Sequence, residues 1–149
     1  IEQGKEIVFD EEATCFEDAP SLSSVEFARK VRISMGNFQN LSRYRKLLLP
    51  FWKGSSFAFW SHKVLRWTTP FLLILSFITS LILGYYTHFF LIIALVQLMG
   101  ILTPLVKLNM KPLKVISHFY LMNLALLKGF FIFIKGVETN IWQPTERNV

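Results

Sequence analysis

Residues 68–106 read TTPFLLILSFITSLILGYYTHFFLIIALVQLMGILTPLV, and this stretch decides the fold class. It contains no Asp, Glu, Lys or Arg, and Thr87 divides it into two apolar runs, residues 68–86 and 88–106. As a helix, each run is long enough to cross roughly 30 Å of hydrocarbon. Because only residues 85–87 offer a turn between the runs, the sequence predicts a two-helix transmembrane hairpin.

Basic residues lie at the open ends of this hairpin and not at its turn. Lys63 and Arg66 precede the first run, whereas Lys107, Lys111 and Lys114 follow the second. Cytoplasmic loops of membrane proteins carry an excess of Lys and Arg. The charge pattern therefore predicts that both open ends face the cytoplasm.

A third apolar stretch, residues 113–134, is also long enough to span but contains Lys114, Asn123 and Lys128. Two arrangements are open. If the stretch spans the membrane, the tail of residues 135–149 is external; if it lies in the cytoplasmic interface or re-enters, the tail returns to the cytoplasmic side. The second arrangement is favoured, because it keeps the basic side chains of the stretch and the tail among lipid head groups.

Residues 21–67 are predicted to form helices at the cytoplasmic membrane surface. Ser23 and Glu26 form a capping box, and the helix that it begins extends to about Leu49. Within residues 47–67, aromatic rings are mixed with basic side chains, which is typical of the head-group layer.

The helix predicted after Ser23 carries two neighbouring ridges. Residues spaced by three or four positions form a polar ridge, namely Arg29, Arg32, Gly36, Gln39 and Arg43. A similar spacing forms an apolar ridge, namely Ala28, Val31, Met35 and Phe38. The helix is therefore expected to rest on a surface and to present cations along an adjacent edge.

Composition and charge agree with a membrane protein. Of the 149 residues, 52% are hydrophobic and 15 are Phe, which is too apolar for an ordinary soluble domain of this size. The net charge of +6 arises from basic residues that lie beside the apolar spans, while acidic residues concentrate in the first 20 positions. This asymmetry favours anionic partners, either membrane lipid head groups or a diphosphate, and disfavours nucleic acid.

Residues 1–20 are predicted to be the trailing edge of an α/β domain. A short strand is expected at residues 6–10, and a second apolar run follows at residues 13–16. Such a segment is too small to bury a core of its own. We therefore expect the chain to begin inside a larger domain.

Four segments resemble the bacterial membrane-bound family 2 glycosyltransferases of the exopolysaccharide-synthase type. EFARKVRISMGNFQNL at residues 26–41 is similar to the region that holds the family's Q-x-x-R-W motif, and SHKVLRW at residues 61–67 is similar to the segment before the first span. EIVFDEEATCFE at residues 6–17 and WQPTER at residues 142–147 extend the similarity to nearly the whole chain.

The resemblance implies the carboxy-terminal portion of a multi-pass enzyme in the bacterial inner membrane, with its interface helices facing the cytoplasm. Such an enzyme transfers a sugar from a nucleotide-sugar donor to a saccharide or lipid-linked acceptor in cell-surface polysaccharide synthesis. The family's D-x-D motif, its divalent metal (Mg or Mn) and its general base belong to a GT-A domain upstream. No catalytic residue and no metal site are therefore assigned to this chain, which is expected to be inactive alone.

The same resemblance places Arg32 on the motif's Arg, which faces the diphosphate. Arg29 stands where the motif has Gln, and Ile33 stands where it has Trp, so the acceptor-facing positions depart from the family pattern and processive synthesis is in doubt. The candidate substrate-binding residues are Arg29, Arg32, Gln39, Trp142 and Arg147.

The alternative is a non-enzymatic module that anchors to the membrane by binding anionic lipid or a partner protein. A transporter is disfavoured, because Gln97 and Asn123 are the only noteworthy amides of the apolar segments and hydrogen bonds between helices explain both. A metal site is disfavoured as well, because His62, His88 and His118 have no carboxylate at ligand spacing.

Overall fold

The computed structural model describes residues 10–14, 23–106 and 110–136, and within these ranges all regular secondary structure is helical. The α-helices of the described chain are α1 (Ser23–Arg43), α2 (Gly54–Phe59), α3 (Leu65–Gly84), α4 (His88–Leu102) and α5 (Lys111–Lys135). Shorter pieces connect them, namely two 3₁₀ turns (Arg45–Leu48 and Thr103–Leu105) and a π-helical turn (Trp60–Val64). The prediction of a mainly α protein is confirmed.

Three helical segments are long and apolar enough to cross a membrane: Gly54–Gly84, His88–Leu105 and Lys111–Lys135. They overlap nearly all of the two predicted spans and contain the predicted third apolar helix. Their outer sides carry many exposed apolar side chains, among them Leu75, Ile82, Ile92, Leu95 and Val96. Apolar faces that no other part of the described protein covers are expected where the surroundings are lipid.

α3 and α4 form the predicted antiparallel hairpin, which turns at residues 85–87. Gln97 Nε2 donates a hydrogen bond to Ser76 Oγ at 3.0 Å near the middle of the pair. Closer to the turn, Gly84 is buried against the side chain of Leu91. These contacts fix the register of the two helices.

The segment before α3 is continuous with that helix. α2, the π-helical turn and α3 form one continuous helix of 31 residues, Gly54–Gly84. At 1.5 Å per residue this helix is about 46 Å long, which exceeds a hydrocarbon layer of roughly 30 Å. The predicted interfacial residues from Gly54 to Trp67 thus belong to the same helix as the predicted span, and the predicted membrane boundary near Thr68 stays a prediction.

The first helix differs from its prediction. α1 ends at Arg43 and not near Leu49, and the next residues form the 3₁₀ turn Arg45–Leu48. Leu49 is extended, with φ −126° and ψ 146°, as favoured for a residue that precedes proline. Ser23 is already helical, whereas the predicted capping box required it to precede the helix.

Residues 10–14 form a turn and not a strand. The backbone N–H of Glu12 donates to Asp10 Oδ1 at 3.0 Å, and that of Thr14 donates to the Glu12 carbonyl oxygen at 2.9 Å. The predicted strand at residues 6–10 lies outside the described residues except for its last position. The predicted second run at residues 13–16 is described only in its first half, which is irregular.

α5 meets the hairpin at its open end, far from the turn. The ring of Tyr120 packs on Gly100 of α4, and the ring of Phe130 packs edge-on against Phe71 of α3, with centroids 4.7 Å apart. Because of the register of the hairpin, Phe71 of α3 and Gly100 of α4 lie at similar distances from its turn. Their partners on α5, Phe130 and Tyr120, are about 15 Å apart along that helix. α5 therefore crosses the hairpin and does not run alongside it.

Candidate functional site

α1 lies along α5 and runs in the same direction. Near the start of both helices, Glu26 Oε1 lies 3.7 Å from Nε2 of His118. Near their ends, the ring of Phe38 stacks on that of Phe133, with centroids 6.3 Å apart. The helix that carries the predicted site residues is therefore held on α5, at the open end of the hairpin.

A glycine allows the close approach of the two helices. A Cβ added at Gly129 would lie within 2.7 Å of the Ser34 side chain and of the Val31 carbonyl oxygen. Ser34 is fully buried, and its Oγ donates a hydrogen bond to the carbonyl oxygen of Leu126 at 2.8 Å. Ala125 and Gly129 form a small-x-x-x-small pair of the type that lets helices pack closely in membranes. The sequence-based prediction did not include this pair, although the pattern is visible in the sequence.

Three phenylalanine rings join α1, α5 and α3. Phe130 of α5 contacts Phe38 of α1, with centroids 5.0 Å apart and an edge-to-face geometry. The same ring contacts Phe71 of α3 edge to face at 4.7 Å. Edge-to-face pairs are stabilising beyond the area that they bury. Through Phe130 the position of α1 is thus coupled directly to the hairpin.

The polar ridge of α1 lies on the side opposite the α5 contact. Successive residues of an α-helix are about 100° apart, so the ridge centre falls roughly 150° from the centre of the contact face at Val31, Ser34 and Phe38. Two of its members, Arg32 and Gln39, are exposed, and Arg29 is half-buried. The structure therefore places the candidate residues of α1 together on the face directed away from α5.

The predicted apolar ridge is only partly correct. Val31 and Phe38 belong to the contact face, since the Val31 carbonyl oxygen lies beside Gly129 and the Phe38 ring is buried, but Ala28 is exposed. Ser34 lies at the centre of the contact, because close approach to Gly129 requires a small side chain there. Hydrophobicity alone could not identify a contact centred on a serine.

An aromatic-basic patch follows α1 and consists of Arg45, Lys46, Phe51, Trp52 and Lys53. All five side chains are exposed, and Trp52 is 74% exposed. The patch is held against the start of the Gly54–Gly84 helix, where the indole N–H of Trp60 donates to the Leu48 carbonyl oxygen at 3.1 Å. Indole rings and basic side chains with apolar stems are typical of the membrane interface.

A cavity of about 330 Å³ lies between the hairpin and α5 and extends from the open end of the hairpin to Gln97, near its middle. Its walls include Pro70, Leu73, Phe77, Ile101, Leu124 and Leu127. Two amides also line it, and the side-chain oxygens of both, Gln97 Oε1 and Asn123 Oδ1, are buried without a hydrogen-bond partner among the described residues.

The prediction that hydrogen bonds between helices explain both amides is only half correct. Gln97 does donate across the hairpin to Ser76. Asn123 instead donates to the carbonyl oxygen of Phe119, in its own helix, at 2.9 Å.

The two candidate residues of the tail, Trp142 and Arg147, lie outside the described residues, so their predicted role in substrate binding stays a prediction. Lys128 points to α1, with Nζ 5.7 Å from the ring centroid of Phe27, a cation–π contact. Within the described ranges, no group of three or more His, Cys, Asp or Glu side chains is placed to hold a metal ion.

Comparisons with protein-family models, with curated proteins and with solved structures find no match for this chain.

Proposed function

We propose that this chain is the membrane-embedded portion of a glycosyltransferase, in which α1 presents a cationic ridge to the diphosphate of a nucleotide sugar at the cytoplasmic face of the bacterial inner membrane. The observation that carries the proposal is the arrangement of α1. One side of α1 is fastened to α5 through Ser34 and Phe38, and the opposite side carries Arg29, Arg32 and Gln39. The resemblance of residues 26–41 to the interface helix of family 2 glycosyltransferases supports the same role.

A guanidinium group suits this role because it stays charged and forms paired hydrogen bonds with phosphate oxygens. In the proposed reaction, Arg32 binds the diphosphate and stabilises the negative charge that develops as the nucleotide leaves. Arg29 and Gln39 lie on the same ridge and contact the donor or the saccharide or lipid-linked acceptor. Trp142 and Arg147 of the tail are proposed to approach the same substrates.

The divalent metal of such enzymes does not fit the described residues, because they hold no group of ligands for it. The proposal assigns the metal, the D-x-D motif and the general base to a catalytic domain that is separate from this chain. No step performed by α1 depends on the metal.

The proposal is tested by Arg32→Ala in the full-length protein in native membranes. We expect sugar transfer from a radiolabelled nucleotide sugar to fall about 100-fold or more, the loss typical of removing one donor that stabilises transition-state charge. Lys30→Ala is the matched control, since it removes a cation from the same helix outside the ridge, and it should leave transfer nearly unchanged. Equal effects of the two variants, or normal transfer by Arg32→Ala, would contradict the proposal.

A second candidate function is anchoring to anionic lipid without catalysis, and the aromatic-basic patch specifically favours it. Exposed Trp52 beside Arg45, Lys46 and Lys53 combines apolar insertion with attraction to anionic head groups. If this is the whole function, Arg45→Ala with Lys46→Ala should weaken the preference for vesicles containing phosphatidylglycerol over pure phosphatidylcholine, and Arg32→Ala should have no effect on any sugar transfer.

A further inference from the structure

The helix Gly54–Gly84 changes its backbone geometry part-way along its length. Its regular final part, α3, has 20 residues and is therefore about 30 Å long, the thickness of a hydrocarbon layer. The π-helical turn Trp60–Val64 lies directly before α3. Lys63 and Arg66 are exposed at this level, as expected where a helix leaves the hydrocarbon. When α3 spans the bilayer, the π-helical turn thus lies at the membrane surface.

Two backbone features weaken the helix around this level. A π-helical turn is an irregular turn, and sharp kinks of helices are commonly found at such turns and at proline. Pro70 lies inside the helix and has no N–H, so it cannot donate to the carbonyl oxygen of Arg66. Both features fall within the same short stretch of the chain.

Side-chain hydroxyl groups add a third feature to this stretch. Three of them donate to carbonyl oxygens one turn earlier in the helix, namely Ser61 to Phe57 at 2.9 Å, Thr68 to Val64 at 3.1 Å and Thr69 to Leu65 at 3.1 Å. Hydrogen bonds of this type slightly destabilise helices and often bend them. Residues 61–70 therefore combine three causes of bending and are called the joint.

The joint separates two parts of the helix that are held by different contacts. Before it, residues 54–60 form an arm, and the indole N–H of Trp60 ties this arm to the Leu48 carbonyl oxygen and so to the aromatic-basic patch. After it, Phe71 packs on the ring of Phe130, and Ser76 accepts a hydrogen bond from Gln97. The arm can therefore move with the patch while the span stays fixed to α4 and α5.

One aromatic contact bridges the joint. The ring of Phe59, on the arm, packs edge-on against the ring of Trp67, with centroids 5.9 Å apart and an interplanar angle of 85°. Trp67 is 5% exposed, so its ring has a fixed position. Because edge-to-face pairs are stabilising, this contact favours the tilt of the arm that the structure shows.

We propose that residues 61–70 form a flexible joint at the membrane surface, about which the arm and the aromatic-basic patch tilt relative to the span. A straight helix of 31 residues would carry its first turns out of the head-group layer, since it is longer than the hydrocarbon is thick. A joint at the surface lets the patch remain among the head groups. The inference concerns the shape of the helix, so it stands or falls independently of sugar transfer.

The test measures distances between pairs of spin labels by pulsed electron paramagnetic resonance. The chain carries a Cys15→Ser background and is reconstituted in phosphatidylcholine nanodiscs. Labels at Ser55→Cys and Ile82→Cys report on arm and span, and they are about 40 Å apart along a straight helix. Labels at Tyr86→Cys and Leu105→Cys both lie on the hairpin and provide a reference width, and all four native side chains are exposed.

We expect the arm-to-span distances to be distributed about twofold more broadly than the reference distances, with a mean several ångströms below that of the straight helix. A distribution as narrow as the reference and centred near the straight-helix distance would overturn the proposal.

A combined variant removes the causes of bending. Pro70→Ala restores a backbone donor, and Ser61→Ala, Thr68→Ala and Thr69→Ala remove the three hydroxyl groups, so together they should narrow the arm-to-span distribution toward the reference width. Thr87→Ala is the control, since it removes a hydroxyl group that makes no capping hydrogen bond and lies outside the joint. It should leave the distribution unchanged.

Phe59→Leu tests the joint in the opposite direction. It removes the ring that bridges the joint and leaves the backbone features in place, so it should broaden the arm-to-span distribution further. An unchanged width in both the combined variant and Phe59→Leu would show that residues 61–70 do not control the tilt of the arm, and it would overturn the proposal.

Discussion

Two glycines of this chain lie inside helices for different reasons. Gly129 has no room for a side chain, because a Cβ there would press on Ser34 and on the backbone of Val31. Gly36 of α1 has open space around it, with nothing within 4 Å of an added Cβ. The first glycine permits a contact, whereas the second only weakens the helix that contains it.

The two positions should therefore respond oppositely to alanine. Gly129→Ala is expected to lower the stability of the α1–α5 pair by about 1–3 kcal/mol, since the backbone that it meets cannot turn aside. Gly36→Ala should raise stability by up to about 1 kcal/mol through helix propensity. Thermal unfolding of each variant in detergent, followed by circular dichroism, measures both changes.

Limited proteolysis of α1 provides the control for that comparison. Cleavage within α1 should become faster in Gly129→Ala and not in Gly36→Ala, because only the first change releases α1 from α5. If both variants shift the unfolding temperature in the same direction, the close contact at Gly129 does not hold α1.

Helices that are defined by a single local property of the chain could be predicted from the sequence. The hairpin and the third apolar helix are long runs without acidic residues, and length and hydropathy suffice to find them. The exact start of the spanning helix at Gly54 was not predicted, because interfacial aromatic and basic residues are compatible with a helix as well as with a loop. The contact face of α1 was misplaced because it depends on a glycine of another helix.

The candidate site likewise has one part that local sequence patterns predict and one part that they do not. The polar ridge followed from helical spacing alone, and the structure confirms that α1 is a helix over all five of its residues. The cavity beside Asn123 could not be found in this way, since its wall is assembled from residues of three helices whose crossing no local pattern encodes. Arg32 as a phosphate-binding residue stays a prediction.

The aromatic-basic patch is predicted to lie among lipid head groups. In a chain whose other tryptophans are replaced by Phe, the fluorescence of Trp52 should be quenched more by lipids brominated near the head group than by lipids brominated near the chain end, because the indole ring prefers the interface. Trp67, which is only 5% exposed, provides the matched comparison in a second single-tryptophan variant. It should be quenched weakly by both lipids, and stronger quenching of Trp67 than of Trp52 would contradict the assignment of the patch.

At the scale of the whole molecule, the sequence left open whether the third apolar stretch spans the membrane or lies at its cytoplasmic interface. The contacts of α5 help to decide between these two arrangements. Both ring contacts with the hairpin, at Gly100 and at Phe71, lie at its open end, and α5 crosses between them. A helix that spanned the membrane beside the hairpin would instead contact it along its length. The crossing favours an α5 that lies near the membrane surface.

This arrangement predicts on which side of the membrane α5 ends. In a Cys15→Ser background, single cysteines replace Lys53 before the spanning helix, Tyr86 at the hairpin turn and Lys135 at the end of α5, and all three native side chains are exposed. With α5 confined to the open end, Lys135→Cys and Lys53→Cys should react with an impermeant maleimide from the same side, opposite to Tyr86→Cys. If α5 spans, Lys135→Cys must react together with Tyr86→Cys, because a spanning helix that starts at the open end finishes at the level of the turn. Labelling of intact cells and of inverted vesicles distinguishes the two patterns. The second pattern would place Trp142 and Arg147 of the tail on the side opposite to α1, and it would therefore remove both residues from the proposed site.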